Sequence, residues 1–206
     1  MELAASLIGI LAVLFVGVIS PGPSFLLVAQ TAVSQSRRAA LLSALGMALG
    51  ATLLCILALL GLQALLLQFP RAHMALRIVG AVYLLYLAVQ LWRKSGTPVV
   101  AAEGAGVRRS GWRHFAMAFG VMITNPKAAV QYGVIFGTFL PQHPTLALSL
   151  LLPVCVFCME AGWYAFVAFV LSSQRPRNSY LRAKRSIDRV ASLLLGGMSI
   201  RLLITR

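Results

Sequence analysis

Long apolar runs alternate with short polar interruptions along this chain. Six runs stand out, at residues 3–29, 39–67, 74–92, 115–140, 146–171 and 190–204. A helix needs about 20 residues to cross the hydrocarbon of a bilayer, and all but the last run approach or exceed that length. The last is short and carries Arg201, which either snorkels to the surface or faces the bundle. The pattern predicts an all-α integral membrane protein with about six transmembrane helices. It forms one membrane domain over residues 1–206.

Two of the runs are interrupted by proline in mid-course, at Ser20-Pro21-Gly22-Pro23 and at Thr124-Asn125-Pro126-Lys127. Proline lacks a backbone N–H and its ring clashes with the preceding turn, so it breaks a helix. In lipid the freed backbone groups must find partners in protein, water or ligand. Ser20 before Pro21, and Asn125 before Pro126, pair a good N-cap residue with a proline at the first helical position. Each break therefore reads as the start of a new half-helix.

Basic residues set the expected orientation. Of 18 in all, 13 fall in three loops: Arg37 and Arg38; Arg93, Lys94, Arg108, Arg109 and Arg113; and Arg175, Arg177, Arg182, Lys184, Arg185 and Arg189. If all six runs span, these loops share one face, which the positive-inside rule places in the cytoplasm, with both termini outside. Arg175 to Arg189 is either a solvated loop or a basic helix on the anionic inner leaflet.

The central polar segment divides the chain into two three-helix halves: residues 3–92, a cytoplasmic linker at 93–114, and residues 115–205. The first span of each half carries the break. Pro23 lies 14 residues before Arg37, and Lys127 lies 14 residues after Arg113. At about 1.5 Å per residue, both breaks sit roughly 21 Å from the cytoplasmic charges. Three spans is an odd number, so the halves would form inverted repeats that meet at the bilayer midplane, where transporter sites of this design lie.

The composition agrees. The chain is 60% hydrophobic, with mean hydropathy +0.88 and only four acidic residues. That is more apolar than one soluble core can hide. The net charge of +14 does not point to nucleic acid, because the basic residues form short clusters between apolar runs with no aromatic–basic face. Cys155-x-x-Cys158 has no second ligand pair, and the histidines His73, His114 and His143 are scattered near span ends, so neither a metal nor a cofactor is expected. Glu2 and the length of the first run argue against a cleaved signal peptide. Trp92, Trp112 and Tyr83 or Tyr86 read as interface anchors. Gly46 and Gly50 form a G-x-x-x-G pair, which packs helices either within the chain or between subunits of a homo-oligomer.

The breaks suggest what the site binds. A helix N-terminus carries unpaired N–H groups and about half a positive charge, which suits a carboxylate. Gly22 lets a ligand approach the backbone. The candidate substrate-binding residues are Ser20, Pro21, Gly22, Pro23, Asn125, Pro126, Lys127 and Gln131, with Ser24 and Tyr132 as weaker additions. Lys127 is a cation at a helix N-terminus and inside the membrane, and both positions disfavour it unless it is paired. Its partner is a substrate carboxylate or Glu160, the one acid in mid-span. Glu160 is the candidate for proton coupling, since low dielectric disfavours the charged form of a carboxyl group. A static Lys127–Glu160 pair is the structural alternative.

At these residues the chain resembles the LysE/RhtB family of amino-acid exporters. Ser20-Pro21-Gly22-Pro23 is similar to the family's first-span motif, and Gly46-Met47-Ala48-Leu49-Gly50 to its second-span glycines. Gly80 to Leu87, followed by Trp92, is similar to its third-span signature. Thr124-Asn125-Pro126-Lys127, then Phe139-Leu140-Pro141-Gln142, is similar to its fourth-span block. Ala88 and Met122 depart from the usual glycine and asparagine. The resemblance covers nearly the whole chain. It implies a multi-pass exporter in a bacterial inner membrane, moving amino acids or derivatives such as homoserine lactone out of the cytoplasm by proton antiport. The competing classes are a membrane scaffold, which has no need of midplane breaks, and a membrane enzyme, for which no Ser/His/Asp, metalloprotease or phosphate-cradling signature is present.

Overall fold

The computed structural model describes residues 2–19, 22–68, 72–95, 110–141, 144–172 and 174–204. All the regular structure among them is helical: α1 (Glu2–Ile19), α2 (Pro23–Ser34), α3 (Arg37–Gln68), α4 (Ala72–Lys94), α5 (Gly111–Ile123), α6 (Pro126–Phe139), α7 (Leu146–Leu171) and α8 (Gln174–Ile204). There are eight helices among the described residues because the first and fourth apolar runs each divide at their prolines, as the half-helix reading of the breaks expects. Arg37–Leu62 and Leu146–Leu171 are each long and apolar enough to cross a membrane, and Ser6–Ile19 with Pro23–Ser34, bent by 57°, makes a third candidate.

Local chemistry sets the boundaries. The Ser36 hydroxyl accepts from the Ala39 N–H at 3.2 Å to open α3, and the Thr145 hydroxyl accepts from the Leu148 N–H at 3.3 Å to open α7. The first break differs from expectation. α2 begins at Pro23, with extended Gly22 as its N-cap, rather than at Pro21 after Ser20. Pro23 fits the first helical position because it has no N–H to leave unpaired. At the far end, residues 175–189 are helical rather than a loop, and α8 runs unbroken through them into the last apolar run. The linker shrinks too, since α4 reaches Lys94 and α5 starts at Gly111; residues 96–109 lie outside the described residues.

The core forms where α3 lies against α5 and α7, with Ile10, Leu14, Phe25, Met47, Phe136, Leu148 and Leu152 fully buried. α4 packs on α8. Ser192 donates to the Ala88 carbonyl at 2.6 Å and Ser199 to the Ala81 carbonyl at 2.7 Å, while Arg189 covers the Trp92 ring at 5.2 Å. As the numbers rise along α8 they fall along α4, so the two run antiparallel. The outer surface is apolar: Ile78, Val82, Leu150, Val154, Leu193 and Ile200 are all exposed. Water would penalise such a surface, whereas lipid does not.

The Gly46–Gly50 pair packs within the chain. A Cβ on Gly46 would collide with the Phe115 carbonyl oxygen of α5, and one on Gly50 would meet the Met122 side chain. The missing side chains let α5 lie directly on α3, running parallel to it. Tyr86, Trp92 and Trp112 are exposed, as interface anchors would be, but His114 is buried at the start of α5. His73 and His143 lie outside the described side chains.

Candidate functional site

Both breaks open onto one cavity. It is lined by Gly17, Val18, Gly22, Ser24, Phe25, Met122, Asn125, Lys127, Ala128, Gln131, Tyr132, Glu160 and Tyr164. Elements from both halves of the chain contribute: the end of α1, the start of α2, the α5–α6 break, the first turns of α6, and the middle of α7. The cavity is small. A water molecule's centre has about 30 Å³ to move in, room for a water or two and far less than an amino acid needs.

The first break orphans a carbonyl that a side chain across the cavity satisfies, while the second is closed within its own backbone. In an unbroken helix the Gly17 carbonyl would accept from residue 21, but Pro21 has no N–H. The Lys127 ammonium donates to that carbonyl instead, at 3.1 Å. One turn earlier, the Gln131 amide donates to the Leu14 carbonyl at 3.1 Å. Gly17 leaves the space that Gln131 fills, since a Cβ there would strike its amide group. On the second break, Pro126 leaves the Met122 carbonyl without its helical donor, and the Asn125 N–H takes it at 3.1 Å.

Asn125 joins the two breaks. Its side-chain oxygen accepts from the Lys127 N–H at 3.0 Å, capping α6, while its amide nitrogen donates to the Ser24 hydroxyl at 2.9 Å. The N-terminal ends of α2 and α6 therefore meet side by side. Gly22 offers α2 no side-chain cap. From the opposite wall, buried Glu160 accepts from the Tyr132 hydroxyl at 3.0 Å through Oε1. Its Oε2 is buried without a hydrogen-bond partner among the described residues. The Lys127 charge acts on the Glu160 carboxyl through space.

Of the candidate residues, Gly22, Asn125, Lys127, Gln131 and Glu160 line the cavity, as do Ser24 and Tyr132. Pro23 and Pro126 begin the two half-helices. Ser20 and Pro21 lie outside the described residues. Tyr83 is not simply an interface anchor: its hydroxyl donates to the Lys127 carbonyl at 2.9 Å, bracing the first turn of α6 from α4. Gly17 and Tyr164 gave no signal in the sequence, because one acts through a missing side chain and the other looks like any tyrosine in an apolar run. Among the described residues, no group of three His, Cys, Asp or Glu side chains is placed to hold a metal.

Comparison with known proteins identifies the lineage of the chain. The LysE type translocator family matches residues 15–206. The chain belongs to that family. LysE type members are transporters rather than enzymes. This LysE type chain is 29% identical over 194 residues to the threonine efflux protein of Escherichia coli (strain K12), covering 93% of the chain and 94% of that relative. The threonine efflux protein of Salmonella typhi is equally similar. A homoserine/homoserine lactone efflux protein of Salmonella typhimurium is 31% identical over 143 residues, 69% of this chain and 68% of its own. No solved structure matches the chain.

Proposed function

We propose that this LysE type translocator exports amino acids or close derivatives from the cytoplasm through the cavity between the two breaks, by proton antiport across a bacterial inner membrane. One observation carries the reading: two half-helix N-termini, a lysine and a buried glutamate, drawn from opposite halves of the chain, line a single cavity. The α2 N-terminus and Lys127 form a positive pole for the substrate carboxylate, with Gln131 beside it. Glu160 is the proton-exchanging group. The efflux names of the relatives support the substrate class and the outward direction.

The reading rests on six spans arranged as two inverted repeats: α1–α2, α3 and α4, then α5–α6, α7 and α8. The antiparallel course of α4 and α8 supports it, since they hold equivalent places in the two halves. So does the reciprocal packing of α2 on α7 and of α6 on α3. Alternating access then has α2 and α6 separating toward one side at a time.

The test is Lys127→Ala in cells loaded with L-threonine or L-homoserine. Export should fall to background while the amount of protein in the membrane stays normal. Undiminished export at normal abundance would remove Lys127 from the mechanism.

A further inference from the structure

The Lys127 pole accounts for a carboxylate, but it leaves Glu160 half used. Glu160 is only 3% exposed, and its two oxygens differ. Oε1 accepts from the Tyr132 hydroxyl, which fixes the plane of the carboxyl group. Oε2 has no hydrogen-bond partner among the described residues, although Glu160 lines the cavity. A buried acceptor with no donor costs about 1–3 kcal/mol, and more if charged. Such an atom is retained where a donor arrives from outside.

We propose that Glu160 Oε2 is the subsite for the α-ammonium group of the substrate, and that this ammonium and a proton occupy the oxygen in turn. The inference builds on the exporter reading and gives it a recognition rule. The substrate must carry a free ammonium group, because that group is the donor the site lacks. The exchange balances. With substrate bound, the Oε2 lone pair accepts an ammonium N–H. When the substrate leaves toward the outside, an O–H bond forms at Oε2 with a proton from that side. When the next substrate arrives from the cytoplasm, that O–H bond breaks and its proton goes to cytoplasmic water. One amino acid moves out for each proton moved in, with no other reactant. Tyr132 is a positioning residue: it holds Oε1 so that Oε2 is the oxygen on offer.

The groups that act on this carboxyl come from three helices. They are Lys127 and Tyr132 of α6 and Tyr164 of its own helix α7, with Cys55 of α3 behind Tyr132. Ser24 of α2 adds a hydroxyl beside Tyr164 but no titratable group.

The experiment uses the full chain in proteoliposomes, with labelled L-threonine or L-homoserine as the transported probe and its N-acetyl derivative as competitor. The wild type should favour the free amino acid over the N-acetyl form by at least about ten-fold, since a 1.4 kcal/mol difference already gives that factor. In Glu160→Gln that preference should shrink to about two-fold or less, and transport should no longer respond to an imposed pH gradient. Glu160→Asp, which keeps the carboxylate, should restore part of the preference. An unchanged preference in a transporting Glu160→Gln protein would overturn the inference and leave the exporter reading standing. Absence of transport of either amino acid by the wild type would sink both. A wild-type measurement covers the case in which the variants fail to fold. Raising the pH on the substrate side should lower the KM while leaving the limiting rate unchanged, because the proton is a competitor. A KM indifferent to pH would reject the shared oxygen.

Discussion

Asn125 does two jobs with one side chain. Its oxygen caps α6 at the Lys127 N–H, and its nitrogen reaches Ser24 on the other broken helix. Losing an N-cap costs roughly 0.5–2 kcal/mol, and a hydrogen bond between membrane helices is worth about 0.6 kcal/mol on average. Asn125→Ala removes both interactions, whereas Ser24→Ala removes the second together with the Ser24 hydroxyl's own contacts to Met122 and Tyr164 but leaves the cap. Thermal unfolding in detergent should therefore show a clearly larger drop for Asn125→Ala; equal drops would mean that the cap contributes nothing. The residue scale is also where the sequence was most and least informative. Asn125 and Lys127 were legible because proline and an intramembrane charge are exceptional in an apolar run. Gly17 was not, since its contribution is the room it leaves for Gln131, and that depends on a helix more than a hundred residues away.

Among the helices, packing depends on small residues and paired carbonyls. Gly46 allows α3 and α5 to touch backbone to backbone, which sets the angle at which α5 delivers the second break to the cavity. Gly46→Leu should destabilise the protein by about 1–3 kcal/mol, the usual cost of overpacking. Gly61 lies on the same helix, and a Cβ there would meet nothing within 4 Å. Gly61→Leu should leave the unfolding midpoint unchanged, and similar losses for both variants would refute the close approach. The G-x-x-x-G spacing announced tight packing, but only the fold shows that the partner is α5. Helix boundaries were well marked where a cap or proline stands. They were left open at α8, where Arg175 to Arg189 read equally as a polar loop or a basic helix, because charge alone does not decide between them; the segment is helical. The two serines that fix α8 on α4 lie seven residues apart and face carbonyls seven apart, a match that cannot be seen without knowing which helices are neighbours.

For the whole molecule, hydropathy and charge carried most of the information. Apolar length predicted membrane helices, and three described segments meet that description, one of them a broken pair. The all-helical fold and the two breaks were therefore readable in advance, because each follows from local composition. The convergence of the breaks was an inference from symmetry, which the individual residues do not reveal. The same charge asymmetry makes a prediction about sidedness, with the central linker in the cytoplasm. A single cysteine placed within residues 95–111, in a background with Cys55, Cys155 and Cys158 replaced, should resist membrane-impermeant maleimide in intact cells and react after permeabilisation. Efficient labelling of intact cells would reverse the orientation.

The Lys127 ammonium already holds an oxygen of its own chain, the Gly17 carbonyl. That occupant is tethered, so it never dilutes. On the proposed reading, a substrate carboxylate must displace it before gaining the lysine, so its apparent affinity is weakened by the fraction of time the internal oxygen lets go. The substrate level at which export would begin then depends on one intramolecular bond.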